Sequence, residues 1–493
     1  MSKFSASRSL AGTVILLCLL AALASGQSWT PVAAAYPGSG AGASFLLTDG
    51  TVMVHQEQTS NDAWYKLTPD INGSYVNGTW TELAPIPFYS PLFFGSAVLP
   101  NGELLVEGGE YSNGISAWTN MGALYNPVTN KWVKINPPAG WTSIGDAQNV
   151  ILNNGVDMQA NCCTTQFAYF NPVGHTWTAF SGNGKFDVFD EEGFNLLPNG
   201  EVLSVDAYVF QYDASGMNSE LYNPATETWS SAGSTGVQLW DSHCGIEADA
   251  TYELGPAVLR PDGTVFATGA NTCGAGRTAI YDTATGTWST GPDFPGKVSV
   301  ADGPASIEIN GKVLVMGSVN EGPPSTFYEW DGTNLTTTVN PPNAKNDGSF
   351  YGHLLALPTG QILFADYSRT IELYNPSGTY NTAWAPQITK APKTVTHGKS
   401  GTVTGYRFAG VSAGGAYGDD YQPYTNYALV RITNNQTGHV FYCKTHNPSS
   451  YAMQSAALQT THFNVPAGIE TGASTLVVVT NGIPSQSVDI TVN

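Results

Sequence analysis

Asp146, Asp190, Glu191, Glu192, Glu253 and Asp302 each stand just ahead of an apolar run that ends in an Asn-Gly or Asp-Gly pair. Carboxylates brought to one place raise each other's proton affinity unless a cation sits among them. Oxygen-only ligands suit Ca²⁺ or another hard cation. The expectation is that Asp146, Glu191, Glu253 and Asp302 line one end of a shared channel and hold water or Ca²⁺ there. Taken singly, each is equally a strand cap. Aromatic residues cluster in the Asn- and Asp-rich segments of the same face: Trp64, Tyr111, Trp118, Tyr208, Tyr212 and Trp240. Trp118 and Trp240 are the candidates for stacking on a sugar, a role that alternates with packing loop against loop. Neither a Ser-His-Asp order, nor a phosphate-cradling glycine loop, nor a zinc-protease helix motif is found. Glu191 and Glu253 could serve a glycosidase only at a separation that sequence does not give.

The cysteines give a second set. Cys244 and Cys273 fall in two loops of one repeat; a bridge would close about 28 residues and contribute roughly 3 kcal/mol. Cys162 and Cys163 are adjacent and pair either with each other or elsewhere, leaving Cys443 as the odd thiol. With no C-x-x-C spacing, a structural zinc site is not expected.

What must position these residues is a repeat. A turn recurs seven times: Asp49-Gly50, Asn101-Gly102, Asn154-Gly155, Asn199-Gly200, Asp262-Gly263, Asn310-Gly311 and Thr359-Gly360. Such pairs favour two-residue hairpins in which both central residues take positive φ. Tyr125, Tyr222, Tyr281 and Tyr374 mark a third strand. Trp80, Trp132, Trp177, Trp229 and Trp288 mark a fourth. Once-per-repeat aromatics are read as packing between units. The period matches four-stranded, kelch-type blades. Trp29 is expected to complete the last blade, and Trp384 to belong to it or to the linker. The chain thus reads as all-β: a leader over 1–26, a seven-bladed β-propeller over 27–385 and an immunoglobulin-like β-sandwich over 386–493.

Composition agrees. Charged residues make up 11% of the 493, while Gly (54) and Pro (30) are plentiful, which suits short strands and turns. Lys3 and Arg8 before the apolar run Leu10–Leu23 read as an export signal, so a secreted, extracellular or periplasmic protein with disulfides is expected. A formal charge of −20 disfavours nucleic acid and anionic lipid. No membrane span is expected, and the protein is read as a monomer.

The repeat, with His462-Phe-Asn-Val-Pro-Ala-Gly468 and Asn481-Gly-Ile-Pro-Ser485 near the end, resembles the galactose oxidase and glyoxal oxidase family. That resemblance implies a copper ion held by two tyrosines and two histidines, one tyrosine being cross-linked to cysteine. The corresponding strand starts here hold Leu92-Phe93, Gly145-Asp146, Asp190-Glu191, Glu253-Leu254, Ala301-Asp302 and Phe350-Tyr351. Only Tyr351 matches, no cysteine is placed for the cross-link, and copper is not expected. The reading is therefore a non-catalytic protein that binds an extracellular glycan or cell-surface ligand. The alternative is an alcohol or aldehyde oxidase with a rearranged site of Tyr351, His353 and His446, the last on a loop reaching into the pore.

Overall fold

The seven turns all fold alike in the computed structural model, which describes residues 26–57, 62–207, 209, 215–418 and 420–493. In the first, Gly50 N donates to Leu47 O at 3.0 Å and Leu47 N to Thr51 O at 2.8 Å. The same two bonds recur through Gly360 N to Leu357 O at the seventh. The glycine has positive φ in every copy, 77° at Gly50 and 84° at Gly360, but the residue before it does not. The loops are thus type I turns closed by a left-handed glycine, not the two-residue turns expected. Asn or Asp is selected for a different reason: its side chain accepts the backbone N–H two residues on, as from Asp49 to Thr51 at 3.0 Å and from Asn199 to Glu201 at 3.0 Å.

Each turn joins the two inner strands of an antiparallel sheet. Among the described residues seven such sheets result, each with four strands in antiparallel order, the sixth extended by Val298–Ser299 and Gly415–Tyr417. Their innermost strands, from Ala41–Leu46 to His353–Ala356, are neighbours in chain order, and the last returns against the first. Ser28–Pro31 pairs with Glu372–Asn375, Trp29 opposite Tyr374, so the N-terminal strand completes the seventh sheet. The repeated tryptophans bond across sheets: Trp132 Nε1 donates to Ala84 O at 2.7 Å, and Trp29 Nε1 to Val339 O at 2.8 Å. Trp384 ends a short 3-10 turn over Thr382–Trp384, after the last sheet.

The remaining strands, Gln387–Lys390 through Val488–Val492, form a separate sheet with its own core of Val403, Val430, Cys443, Phe463 and Leu476. It packs on the turns of the first sheets: Asn447 N donates to Pro100 O and Tyr451 N to Asn153 O. Among the described residues there is no α-helix, and no helix is long and apolar enough to cross a membrane. The leader (but for Gly26), Tyr208 and Tyr212 lie outside the described residues.

Candidate functional site

The ends of the inner strands opposite the turns meet around an insertion from the C-terminal part. Residues 409–418 and 420–427 run up between the sheets. Tyr427 Oη donates to Leu46 O, Tyr424 Oη to Phe194 O at 2.7 Å, and Tyr417 Oη to Phe350 O at 2.6 Å. Phe93 N donates to Tyr421 Oη at 2.7 Å, and Gly415–Tyr417 pairs with Pro304–Ile307. The segment expected to reach the pore was Thr437–Asn447, with His446. That expectation is corrected: Val440–His446 is a paired strand, where His446 lies opposite His462 with rings 5.7 Å apart. Its successor Asn447 bonds at the turn end, away from Tyr351 and His353.

At the head of this insertion the acidic residues gather. One carboxylate oxygen each from Glu191, Glu253 and Asp302 lies within 4.8 Å of the other two, from three different sheets. Glu191 and Asp302 reach this position with φ of 57° and 33°, conformations uncommon for residues with a side chain and frequent where strain serves a site. Gly418, at φ 37°, passes so close that a Cβ there would fall 2.4 Å from Asp302 Oδ1. Asp146, 6% exposed, hydrogen-bonds Asp420. Burial above all, with the nearby Glu110, Asp302 and Asp190, pushes its carboxyl well above the usual range, against the hydrogen bond to Asp420, which acts the other way.

Glu192 turns the other way. Lys185 Nζ donates to it at 3.1 Å, to Glu220 at 2.6 Å and to Asp187, with Asp206 at 3.7 Å. Phe189 and Trp229 lie 5.1 and 5.6 Å from the same ammonium.

A second buried network borders the insertion. His55 Nδ1 stands 2.9 Å from Glu57 and Nε2 3.3 Å from Asp62, whose Oδ1 also accepts from Trp64 Nε1 at 2.9 Å. Burial would lower the His55 pKa, but Glu57 and Asp62 outweigh it and hold it at about 9. His353 behaves oppositely: burial brings it down to about 4, so it is neutral, stacked on Tyr417 at 5.1 Å and edge-on to Tyr421 at 5.0 Å. Tyr351 packs against Tyr367 at 5.1 Å.

The two tryptophans part. Trp118 is 51% exposed and lies over Gly145, beside Asp146. Trp240, expected as a stacking surface, is 2% exposed. It stacks on Tyr252 at 5.5 Å and donates to Gly216 O at 3.0 Å, because the loop it belongs to folds back on itself. Cys244 and Cys273 are bridged, with Cα atoms 5.8 Å apart, whereas Cys162 and Cys163 carry no disulfide.

Sequence reasoning missed Tyr417, Asp420, Tyr421 and the His55–Glu57–Asp62 network. The run Gly414-Gly-Ala-Tyr-Gly-Asp-Asp-Tyr421 offered a signal: it is too glycine-rich and polar for a sandwich strand, yet full of rings.

No family model matches the chain. It is 26% identical over 210 residues to N-acetylneuraminate epimerase 2 of Escherichia coli O6:H1, covering 40% of this chain and 53% of that one. It is 27% identical over 263 residues to N-acetylneuraminate epimerase of E. coli O157:H7, covering 50% and 65%. The chain thus spans about half to two-thirds of the length of these curated relatives. Among solved structures, a fungal alcohol oxidase of the AA5 family in complex with copper superposes with a TM-score of 0.53 at 13% identity, over 95% of this chain and 100% of that one. That likeness concerns the fold alone.

The oxidase's copper raises the question of fit. A site of Tyr351, His353 and His446 does not assemble, since His446 lies in the C-terminal sheet opposite His462. His55 is engaged by Glu57 and Asp62. The donors that converge at Glu191, Glu253 and Asp302 are carboxylates, a set that suits a hard cation better than copper.

Proposed function

We propose that the chain is a secreted seven-bladed, kelch-type propeller over 27–385 with an immunoglobulin-like C-terminal sandwich over 386–493. It binds a glycan or cell-surface carbohydrate, without turning it over, at the end of the ring opposite the turns. The observation that carries this reading is the convergence of Glu191, Glu253 and Asp302 on one centre. Such a centre holds Ca²⁺, whose remaining coordination positions accept sugar hydroxyls. Trp118, exposed beside Asp146, offers the face on which a sugar ring stacks. The curated relatives are named for a sugar substrate, which supports a carbohydrate ligand. A sugar acid would meet repulsion from this mouth unless the cation bridged it.

The test is a glycan array with the mature protein in Ca²⁺ and in EDTA. Binding in Ca²⁺ that is lost in EDTA and in Glu253→Gln is expected. Binding indifferent to both would overturn the cation-dependent site. Stoichiometric copper with peroxide release from sugars or aldehydes would replace it with the oxidase reading.

A further inference from the structure

Beside the carboxylate centre, the segment of Glu191 meets a loop of different chemistry, the one between Asp157–Ala160 and Gln166–Asn171. Cys162 Sγ, Cys163 Sγ and a carboxylate oxygen of Asp190 all lie within 4.8 Å of one another. Cys162 Sγ stands 3.7 Å from Asp190 Oδ1. A tetrahedral zinc ion with Zn–S of about 2.3 Å and Zn–O of about 2.1 Å separates its sulfur and oxygen ligands by about 3.6 Å. The observed spacing is therefore already that of two ligands on one ion.

The backbone fixes this arrangement without a disulfide. Cys162 N donates to Ile144 O at 2.9 Å, Cys163 N to Phe189 O at 2.6 Å, and Phe189 N to Thr164 O at 2.8 Å. The turn carrying the thiols is thus tied on one side to the segment that leads to Asp146. On the other it is tied to the segment that leads to Asp190. Cys163 takes φ 63°, a left-handed conformation costly for a side-chain-bearing residue. Cys162 is buried at 2% exposure, while Cys163 and Asp190 are partly exposed and leave a route for an ion.

We propose that Cys162, Cys163 and Asp190 bind a thiophilic divalent cation of the zinc type. It has three protein ligands and an open fourth position, next to the hard-cation centre of Glu191, Glu253 and Asp302. Binding releases the two thiol protons to solvent, so the divalent ion meets two thiolates and one carboxylate, which together leave the site with one negative charge. Adjacent residues Asp190 and Glu191 then serve two ions of opposite softness. This inference stands independently of carbohydrate binding.

The test uses the full-length mature protein with its Cys244–Cys273 bridge intact, in a Cys443→Ala background, so that Cys162 and Cys163 are the two free thiols. Cd²⁺ replaces zinc as the probe, read by its thiolate charge-transfer absorption. One equivalent of Cd²⁺ should saturate the band, and excess Zn²⁺ should displace it while excess Ca²⁺ should not. Cys162→Ser and Cys163→Ser should abolish the band, and Asp190→Asn should weaken binding about tenfold or more. Circular dichroism checks that each variant is folded. Absence of the band, its displacement by Ca²⁺, or a peptide mass showing Cys162 joined to Cys163 in the purified protein would each overturn the proposal.

Discussion

Residues 185–193 supply carboxylates to two clusters of opposite character. Asp187 and Glu192 point into the fourth sheet, where with Asp206 and Glu220 they surround the ammonium of Lys185. Glu191, between them in sequence, points to the ring's open end and meets Glu253 and Asp302. The first cluster contains a cation supplied by the chain. The second is bordered by further carboxylates, Asp146 and Asp420, and by the phenol of Tyr417. Acidic grouping alone therefore does not mark a metal site. The first is built around an ammonium of the chain; the function proposed above supplies Ca²⁺ to the second, in a chain with 38 acidic and 18 basic side chains.

The sharpest way to break this comparison is to remove the built-in cation. Lys185→Met keeps the bulk and leaves up to four buried carboxylates facing one another. Loss of one partner from a buried ion cluster costs about 3–5 kcal/mol. Denaturant unfolding should show a loss of that size, or no folded protein. Glu253→Gln in metal-free buffer should have the opposite sign or no effect, because it relieves repulsion. Equal destabilisation by both would mean that the two clusters are of one kind.

Calcium sharpens the same contrast. A single site filled at 100 times its Kd adds about 2.7 kcal/mol, so EDTA-treated protein should melt a few degrees higher once Ca²⁺ is restored. Glu253→Gln or Asp302→Asn should erase the shift. A melting temperature indifferent to EDTA and Ca²⁺ in the unmodified protein would reject the cation while leaving the geometry intact.

Acidity offers a third, smaller lever. Burial raises Asp157 and Glu372 to about 7 and Glu308 to about 8, and the pairing described above holds His55 at about 9. A group whose folded pKa lies above its unfolded value stabilises fully below the unfolded value. That stability is lost as pH rises through the folded value. For the carboxyls the window runs from about 4 to 8, and for His55 from about 6.5 to 9. Glu57 is shifted the other way, and its contribution is lost only in stronger acid. Metal-free protein should therefore melt lower at pH 9 than at pH 5. Ca²⁺ should recover more at the alkaline end, where the carboxylates are already ionised. A melting temperature that rises from pH 5 to 9 without metal would contradict the buried-carboxyl account.

Local chemistry was legible wherever one residue type has one job. The turn glycines, the Tyr–Trp pairs and Trp29 as a returning strand all follow from spacing, since each unit repeats the same contacts. Repetition also explains why Glu191, Glu253 and Asp302, at corresponding strand starts, meet. The direction of a side chain within such a start was not legible: Glu191 and Glu192 are neighbours with opposite destinations, decided by φ 57° at Glu191 and by Lys185. Nor was the insertion at 409–418 and 420–427, because its order comes from contacts far away in sequence, such as Tyr424 to Phe194 and Tyr421 to Phe93. His446 looked available only because its strand partner, His462, is invisible until the sheet forms.

The smallest expected change in stability carries the most functional weight. Trp118 is half exposed, and its ring covers Gly145 without filling a core, so Trp118→Ala should shift stability by no more than about 0.5 kcal/mol. Removing the surface proposed for sugar stacking should nonetheless weaken carbohydrate binding about tenfold, equivalent to about 1.4 kcal/mol. Trp240→Ala should reverse the pattern. That ring is buried against Tyr252, so its loss should cost about 3–5 kcal/mol and affect binding only through unfolding. Titrating a glycan identified on the array against both variants, at a temperature where each is folded, separates the two roles. Unchanged affinity in Trp118→Ala would move the ligand away from the Asp146 side of the ring, while leaving the carboxylate centre to be judged by calcium alone.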